Sequence, residues 1–302
     1  MELSIVISTY NNANSLVRTI DSVAKQDADR SLWECVIVNN ASTDDTKSRV
    51  EELIKKYDNI NLRLVDEPQQ GLSYARNKGV AESKGNFIAF IDDDETINSG
   101  FVSAYIDLFL NHSAFAAAGA VKACYDGGRP RWMSKYTEKM IANPIDLGKR
   151  ITTIASNITP AGGNMAFNRE IFTLYGGFDT ELGRKGGELL GGEENDIFER
   201  IRSLGERVYY VPNAIVYHHI GERKLTKEYF EKLSYGVGVS KFIRADKEGV
   251  LHELYRDEKM KRLYTVILAI LYTLALQPQK AAWLWKMRKG ISKGILEKSQ
   301  EL

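Results

Sequence analysis

Cysteine is nearly absent: the 302-residue chain has two, Cys35 and Cys124. Both sit in apolar stretches, "WECVIV" and "VKACY", and they are not spaced as a metal site. Two reduced core thiols are expected rather than a disulfide. Histidine is scarce as well, with four in all and two of them adjacent, His218 and His219. Net charge is only +1, which leaves no whole-protein field for nucleic acid. The opening "MELSIVISTY" has neither a basic n-region nor a cleavage pattern, so no signal peptide is expected. A reducing, cytoplasmic setting follows. No internal repeat or low-complexity tract is visible. The longest uncharged apolar run, residues 263–276, has fourteen residues and is too short for a confident membrane span. What remains, 43% hydrophobic and 27% charged residues, is an ordinary globular composition.

The first hundred residues alternate two patterns. "LSIVIST", "WECVIVNN", "INLRLVD" and "FIAFI" are short apolar runs rich in β-branched residues. Between them lie helical stretches: residues 15–26 with Leu16, Ile20 and Val23 on one face, then "STDDTKSRVEELIKKY", then "LSYARNKGVAESK". This alternation predicts an α/β fold with a mixed, mostly parallel sheet and helices on both faces. Ligands bind such sheets beyond the carboxyl ends of the strands. That rule gathers "STYNN", "NNASTDD", "DEPQQG" and "DDDE" on one rim. Residues 124–150 read as a long loop. "AGGNMAFNREIFTLYGGFD" reads as strand, helix and turn, and "GGEENDIFERIRSLG" as a helix. "RVYYVP" and "AIVYHHIG" read as two strands, and residues 225–245 as a further helix.

Three consecutive carboxylates, Asp92, Asp93 and Asp94, follow an apolar strand. Like charges at close range raise one another's pKa, so such a cluster needs a positive partner or full solvation. Carboxylates and phosphates together suit Mg²⁺ or Mn²⁺. On an extended chain Asp92 and Asp94 would point one way and Asp93 the other. "GLSYARNKGV" puts Arg76 and Asn77 at a helix start after a glycine, a phosphate-friendly arrangement. Glu193 and Glu194 open another helix. There they complement the helix dipole, or one of them serves as a general base beside a substrate hydroxyl.

Taken together, "VISTYNN", "VNNASTDDT", "GLSYARNKGV", "FIDDDE", "GGNMAFNREIF…GGFD" and "GGEENDIFERI" resemble, in that order, the family 2 glycosyltransferases of the GT-A fold. The resemblance covers roughly residues 1–235 as a catalytic domain, leaving 236–302 as a helical C-terminal extension. It implies inverting transfer of a sugar from a nucleotide-sugar, with a divalent cation as cofactor. It further implies that Thr9, Tyr10, Asn40, Ser42 and Arg76 line the nucleotide site. Asp92 and Asp93 then lie near the ribose, and Asp94 and His218 near the metal. Gly163, Asn164 and Glu193 border donor sugar and acceptor, and Glu194 is the base. Asn39 and Asn40 stand where the family commonly has acids, which removes a charged acceptor for a uracil N–H. A UDP-sugar is expected first, with dTDP- and GDP-sugars as alternatives, serving cell-surface glycan or glycolipid synthesis. Two other readings compete. A sugar-1-phosphate nucleotidyltransferase would want a Gly-rich basic loop where "STYNNANS" has neither glycine nor base. A non-catalytic carbohydrate-binding or scaffold protein would have no use for the aspartates and Glu194.

Acceptor recognition is expected to involve the 124–150 loop, where Trp132 stacks on a sugar ring or is a partly buried structural residue. Charge is concentrated in the tail: residues 255–302 hold ten Lys/Arg against four Asp/Glu. On a helical wheel Trp283, Leu284, Met287, Ile291 and Ile295 share one face, with Lys286, Lys289 and Lys293 opposite. That is the pattern of a helix in a membrane interface, at the inner face of the cell membrane, with a lipid-linked acceptor. A helical hairpin packed on the catalytic domain, or on a second subunit in a homodimer, fits the same pattern.

Overall fold

The computed structural model describes residues 1–301. The four apolar runs form strands β1 (Leu3–Thr9), β2 (Trp33–Asn39), β3 (Leu62–Asp66) and β4 (Phe87–Asp92). They pair in parallel in the order β3-β2-β1-β4. Helices α1 (Ala13–Val23), α2 (Thr46–Lys56) and α3 (Leu72–Glu82) make the crossovers. Five more strands continue the sheet: β5 (Glu95–Ile97), β6 (Ala116–Tyr125), β7 (Thr152–Thr153), β8 (Met165–Asn168) and β9 (Val208–Ile220). The full order is β3-β2-β1-β4-β8-β6-β9-β5, with β7 beside β9. The added pairs β4–β8, β6–β8, β5–β9 and β7–β9 are antiparallel.

Both faces of the sheet are covered, which is why its strands read as continuous apolar runs rather than as alternating ones. Leu3, Ile5 and Ile7 of β1 pack with Cys35 and Ile37 under Leu16 and Ile20 of α1, Val50 of α2, and Phe101 and Tyr105 of α4 (Phe101–Asn111). The other face sets Val6, Val36, Ile88 and Phe90 against Ala75 of α3, Ile171 of α6 (Glu170–Tyr175) and Phe198 of α7 (Glu193–Ser203). A side chain at Gly79 of α3 would meet Val6 Cγ1 at 2.3 Å, so glycine is what lets this helix lie on β1. Cys35 is a buried thiol whose pKa burial pushes far up, as expected of a core cysteine. Cys124 is free but partly exposed, near the end of β6 rather than in the core.

The chain forms two compact units. The first takes residues 1–123, 144–181 and 193–219, and the second 124–143, 182–192 and 220–302. The second contains α5 (Lys135–Ile141), α8 (Lys227–Lys247), α9 (Leu251–Leu274) and α10 (Pro278–Ser299). The boundary expected at residue 235 falls inside α8. Helix α10 lies on α8 through glycines: a Cβ on Gly238 would meet Ile291 O, and one on Gly294 would meet Tyr235 O, each at 2.2 Å. Leu284, Met287, Ile291 and Ile295 of α10 are buried. Of the two readings of the wheel's apolar face, membrane interface or packed hairpin, the packed one holds: the face is spent inside this unit.

Two sequence expectations need correction. Residues 124–150 are not one loop, because α5 forms there, started by a reciprocal Ser134–Thr137 capping box. The two strands expected around Pro212 are one, β9. Pro212 lies between the stretch paired with β7 (Tyr209 and Tyr210) and that paired with β5 (Val216, Tyr217 and His218). Its missing N–H interrupts neither ladder there, so the strand runs through it.

Candidate active site

The carboxyl ends of β1, β2 and β4 bring their loops together, as the parallel topology requires. The backbone N–H of Asn11 donates to Ser42 Oγ (3.0 Å), and Asn11 Oδ1 accepts from Thr43 N–H (2.7 Å), stitching the first loop to the second. Asn40 is wholly engaged in the framework. Its amide donates to the Glu67 and Gln69 carbonyls (3.1 and 2.7 Å), and its Oδ1 accepts from Gly71 N–H (2.8 Å). Tyr10 stands exposed on the rim.

The three aspartates do not alternate, because the chain turns at Asp93 and Asp94 before entering β5. Each serves a different partner. Asp92 accepts from Arg76 Nη2 at 3.3 Å. Asp93 accepts from Thr9 Oγ1 (2.8 Å) and Asn12 Nδ2 (2.7 Å), while its carbonyl accepts from Thr19. Asp94 Oδ1 lies 3.6 Å from Nε2 of His218, which β9 carries across from 124 residues away. The neighbouring His219 points to the other side of the strand, where Nε2 bonds Thr96 Oγ1 at 2.9 Å. Strand alternation thus selects one of the paired histidines.

Glu95, to which the sequence reading gave no role, holds the turn from within. It is 2% exposed, and its Oε2 accepts from Asp92 N–H at 2.9 Å. A Cβ on Gly163 would fall 2.2 Å from that same oxygen, and one on Gly162 would fall 2.8 Å from Arg76 Nη2. These glycines make room for a carboxylate and a guanidinium. Asn164 is fully buried, bonded to the Tyr105 hydroxyl (2.6 Å) and to the Ala120 and Ala214 carbonyls (2.9 and 3.0 Å). Arg76 is itself buried. It donates to Glu193 Oε1 at 2.6 Å and to the Gly162 carbonyl, and lies over the Phe178 ring. Glu193 is 3% exposed, and its Oε2 has no hydrogen-bond partner, while the adjacent Glu194 is only partly buried.

Charge is unbalanced here: Asp92, Asp93, Asp94, Glu95, Glu193 and Glu194 surround one guanidinium and one imidazole. Burial, then the Asp94 charge, pushes the Asp93 carboxyl up to about 7 against the bonds from Thr9 and Asn12. Burial, then the Glu193 charge, pushes Glu194 up to about 8, with Arg76 opposing. Trp132 belongs to the second unit, where it stacks on Trp283 (centroids 3.7 Å apart) and meets Phe230 edge-on. Among the described residues no three His, Cys, Asp or Glu converge as a metal set. Asp94 with His218 is a two-donor set, which fits a divalent ion that takes its remaining ligands from water and phosphate.

The Glycosyl transferase family 2 model matches residues 4–175, more than half of the chain. The chain belongs to glycosyl transferase family 2. Among curated relatives, a glucosyl-dolichyl phosphate glucuronosyltransferase of Haloferax volcanii is 28% identical over 246 residues, 80% of this chain and 76% of that protein. Among solved structures, the mannosyltransferase PcManGT from Pyrobaculum calidifontis, in complex with GDP-Man and Mn²⁺, is similar with a TM-score of 0.66 and 19% identity. That match covers 98% of this chain and 88% of the other. S. aureus TarS 1-349 in complex with UDP-GlcNAc is similar with a TM-score of 0.57 and 19% identity, covering 100% and 91%. The fold is that of the GT-A enzymes, and the protein is a glycosyltransferase.

Proposed function

We propose that the protein transfers a sugar from a nucleoside diphosphate sugar to an acceptor hydroxyl, with inversion, in the synthesis of a cell-surface glycan or glycolipid. The observation that carries this reading is the division of labour among adjacent acids. Asp94 meets His218, Asp92 and Asp93 are held toward Arg76 and the loop of β1, and Glu194 is a carboxyl with a raised pKa. The first pair would hold a divalent cation. When bound, that cation supplies Lewis-acid charge against the departing diphosphate. Glu194 takes the proton from the acceptor hydroxyl, which attacks the anomeric carbon from the opposite face. Arg76 is a positioning residue: its charge is committed to Glu193 and Asp92, and it orients the acid pair rather than the leaving group. Asn40 shapes the nucleotide loop through Gly71 and Gln69.

Support for a nucleotide-sugar donor comes from the similar structures, which hold GDP-Man with Mn²⁺ and UDP-GlcNAc. Their different bases leave the nucleotide to experiment, with a UDP-sugar first, then GDP and dTDP. A lipid-linked or glycan acceptor is consistent with the name of the Haloferax relative. The test is a thermal-shift screen of UDP-, GDP- and dTDP-sugars with and without Mn²⁺, followed by turnover with the stabilising donor. One donor class is expected to raise the midpoint only with the metal present. Equal shifts with chelator present would overturn the role of Asp94 and His218.

A further inference from the structure

The second unit leaves an apolar hairpin tip bare. On α9, Leu263, Tyr264, Ile267, Ile270 and Leu271 are each about half exposed, and Leu274 is 75% exposed. In the turn to α10, Leu276 is 89% exposed, and Trp285 of α10 is 45% exposed. A groove of about 440 Å³ runs between Val266, Ala269, Ile270, Thr273, Leu274 and Trp285. This is not the face of α10 that packs on α8.

Two independent features say what covers it. The first is charge. From residue 259 to 296 the chain has eight Lys/Arg and no Asp or Glu; Lys261, Arg288 and Lys293 pair with Asp257, Glu258 and Glu297 just outside that span, and Lys259, Arg262, Lys280, Lys286 and Lys289 supply the basic surface. Arg262 and Lys289 line a second groove of about 280 Å³, with Glu297 its one acid, and it shares Trp285 with the apolar groove. The second is Leu276 itself. It follows α9 with φ +59°, the left-handed position that glycine occupies at low cost, and it closes the helix there. Leu276 N–H donates to the Thr273 carbonyl and Gln277 N–H to the Tyr272 carbonyl. A leucine in that strained position, with its side chain in the open, gains only if its surroundings are apolar. The side chains of Gln277, Gln279 and Lys280 hold the turn itself at headgroup depth, and its backbone adds little further polar cost. These two N–H groups satisfy carbonyls at the end of α9, and Pro278 at the start of α10 has no N–H to satisfy.

We propose that the α9–α10 hairpin tip dips into the interface of an anionic phospholipid membrane. The inserted residues are Ile270, Leu271, Leu274 and Leu276, with Tyr264 and Trp285 at the headgroup level and Arg262 and Lys289 against lipid phosphate. The contact is confined to the interface of one leaflet, since no helix among the described residues is long and apolar enough to cross.

The test is co-sedimentation of the full chain with phosphatidylcholine vesicles, with and without phosphatidylglycerol. Binding is expected only to the anionic vesicles and should weaken with salt. Leu274→Glu, at a site with little to lose from the fold, should cut binding about tenfold or more with unchanged circular dichroism. The pair Arg262→Glu and Lys289→Glu should cut it at least about fivefold. Leu276→Gly separates the two roles of that residue: the thermal midpoint should not fall, while vesicle binding should. The proposal is overturned if the protein stays in the supernatant with anionic vesicles, or if Leu274→Glu binds them as well as the parent. It is equally overturned if, without lipid, the protein is a dimer that Leu274→Glu splits and vesicles do not bind. The face would then join two copies of the chain.

Discussion

Asp92, Asp93 and Asp94 are neighbours in sequence, yet they face three different elements: α3, the loop of β1, and β9. Asp94 is therefore the residue to remove when testing the cation. Asp94→Ala should abolish Mn²⁺-dependent donor binding, read by calorimetry. The thermal midpoint without metal should not fall, since losing one of several crowded carboxylates relieves repulsion. Glu194→Gln should leave donor affinity nearly intact and lower the transfer rate by roughly 10²–10⁴-fold. The pKa shift of Glu194 gives two further readings with opposite senses. As a base it works deprotonated, so kcat/KM should rise with pH, reach half its maximum at about 8 and level off above that. For stability, the folded state keeps this proton from the ordinary value of 4.5 up to about 8, where the unfolded chain has lost it. Stability should therefore decline as pH rises through that window, and Glu194→Gln should flatten the decline in urea titrations. The aspartates were legible at a strand end and Arg76 and the glutamate pair at helix starts, whereas the choice of His218 from the histidine pair came from the family resemblance. Glu95 was not, because a fourth acid after three reads as more of the same until the turn is seen to fold it inward.

Between elements, the contact most sensitive to change is the ion pair from α3 to α7. Arg76 and Glu193 have side chains 3% and 5% exposed, so loss of one partner strands a buried charge. Arg76→Met should cost about 3–5 kcal/mol in urea unfolding. Adding Glu193→Gln should recover part of that loss, a coupling that a double-mutant cycle measures. The α8–α10 contact is limited by space instead. Gly238→Ala should cost about 1–3 kcal/mol by overpacking against the Ile291 carbonyl, read as faster amide exchange in α10. The alternation of helix and strand through β4 was readable because both periods were clean. Helix α5 was not, being seven residues long and preceded by glycine and proline. For α10 the wheel correctly found an apolar face but could not name its cover, which is α8. Periodicity reports that a face is buried, not by what.

At the scale of the whole chain, each of the two units is assembled from three separated segments, an arrangement that sequence reading, with its single boundary at 235, had no local signal to detect. Neither unit can be released by one cut, so point substitutions rather than truncation are the way to test the tail. The same arrangement sets an order of events during synthesis. Strands β1 to β4 and their three crossover helices are complete by residue 92, and the parallel pairs among them need no strand made later. The indole of Trp132, by contrast, waits for Trp283, roughly 150 residues of translation later, or about 8–30 s at ordinary ribosome speeds. On stalled ribosomes, chains halted before residue 283 should be cut by protease within 124–143, while β1 to β4 resist. Equal resistance of both regions would show that the segment finds shelter without its stacking partner. Until that partner is made, the nascent protein carries an aromatic and apolar surface from its middle third, and the period of greatest exposure to chaperones and proteases falls in the interval when the last two helices are being translated.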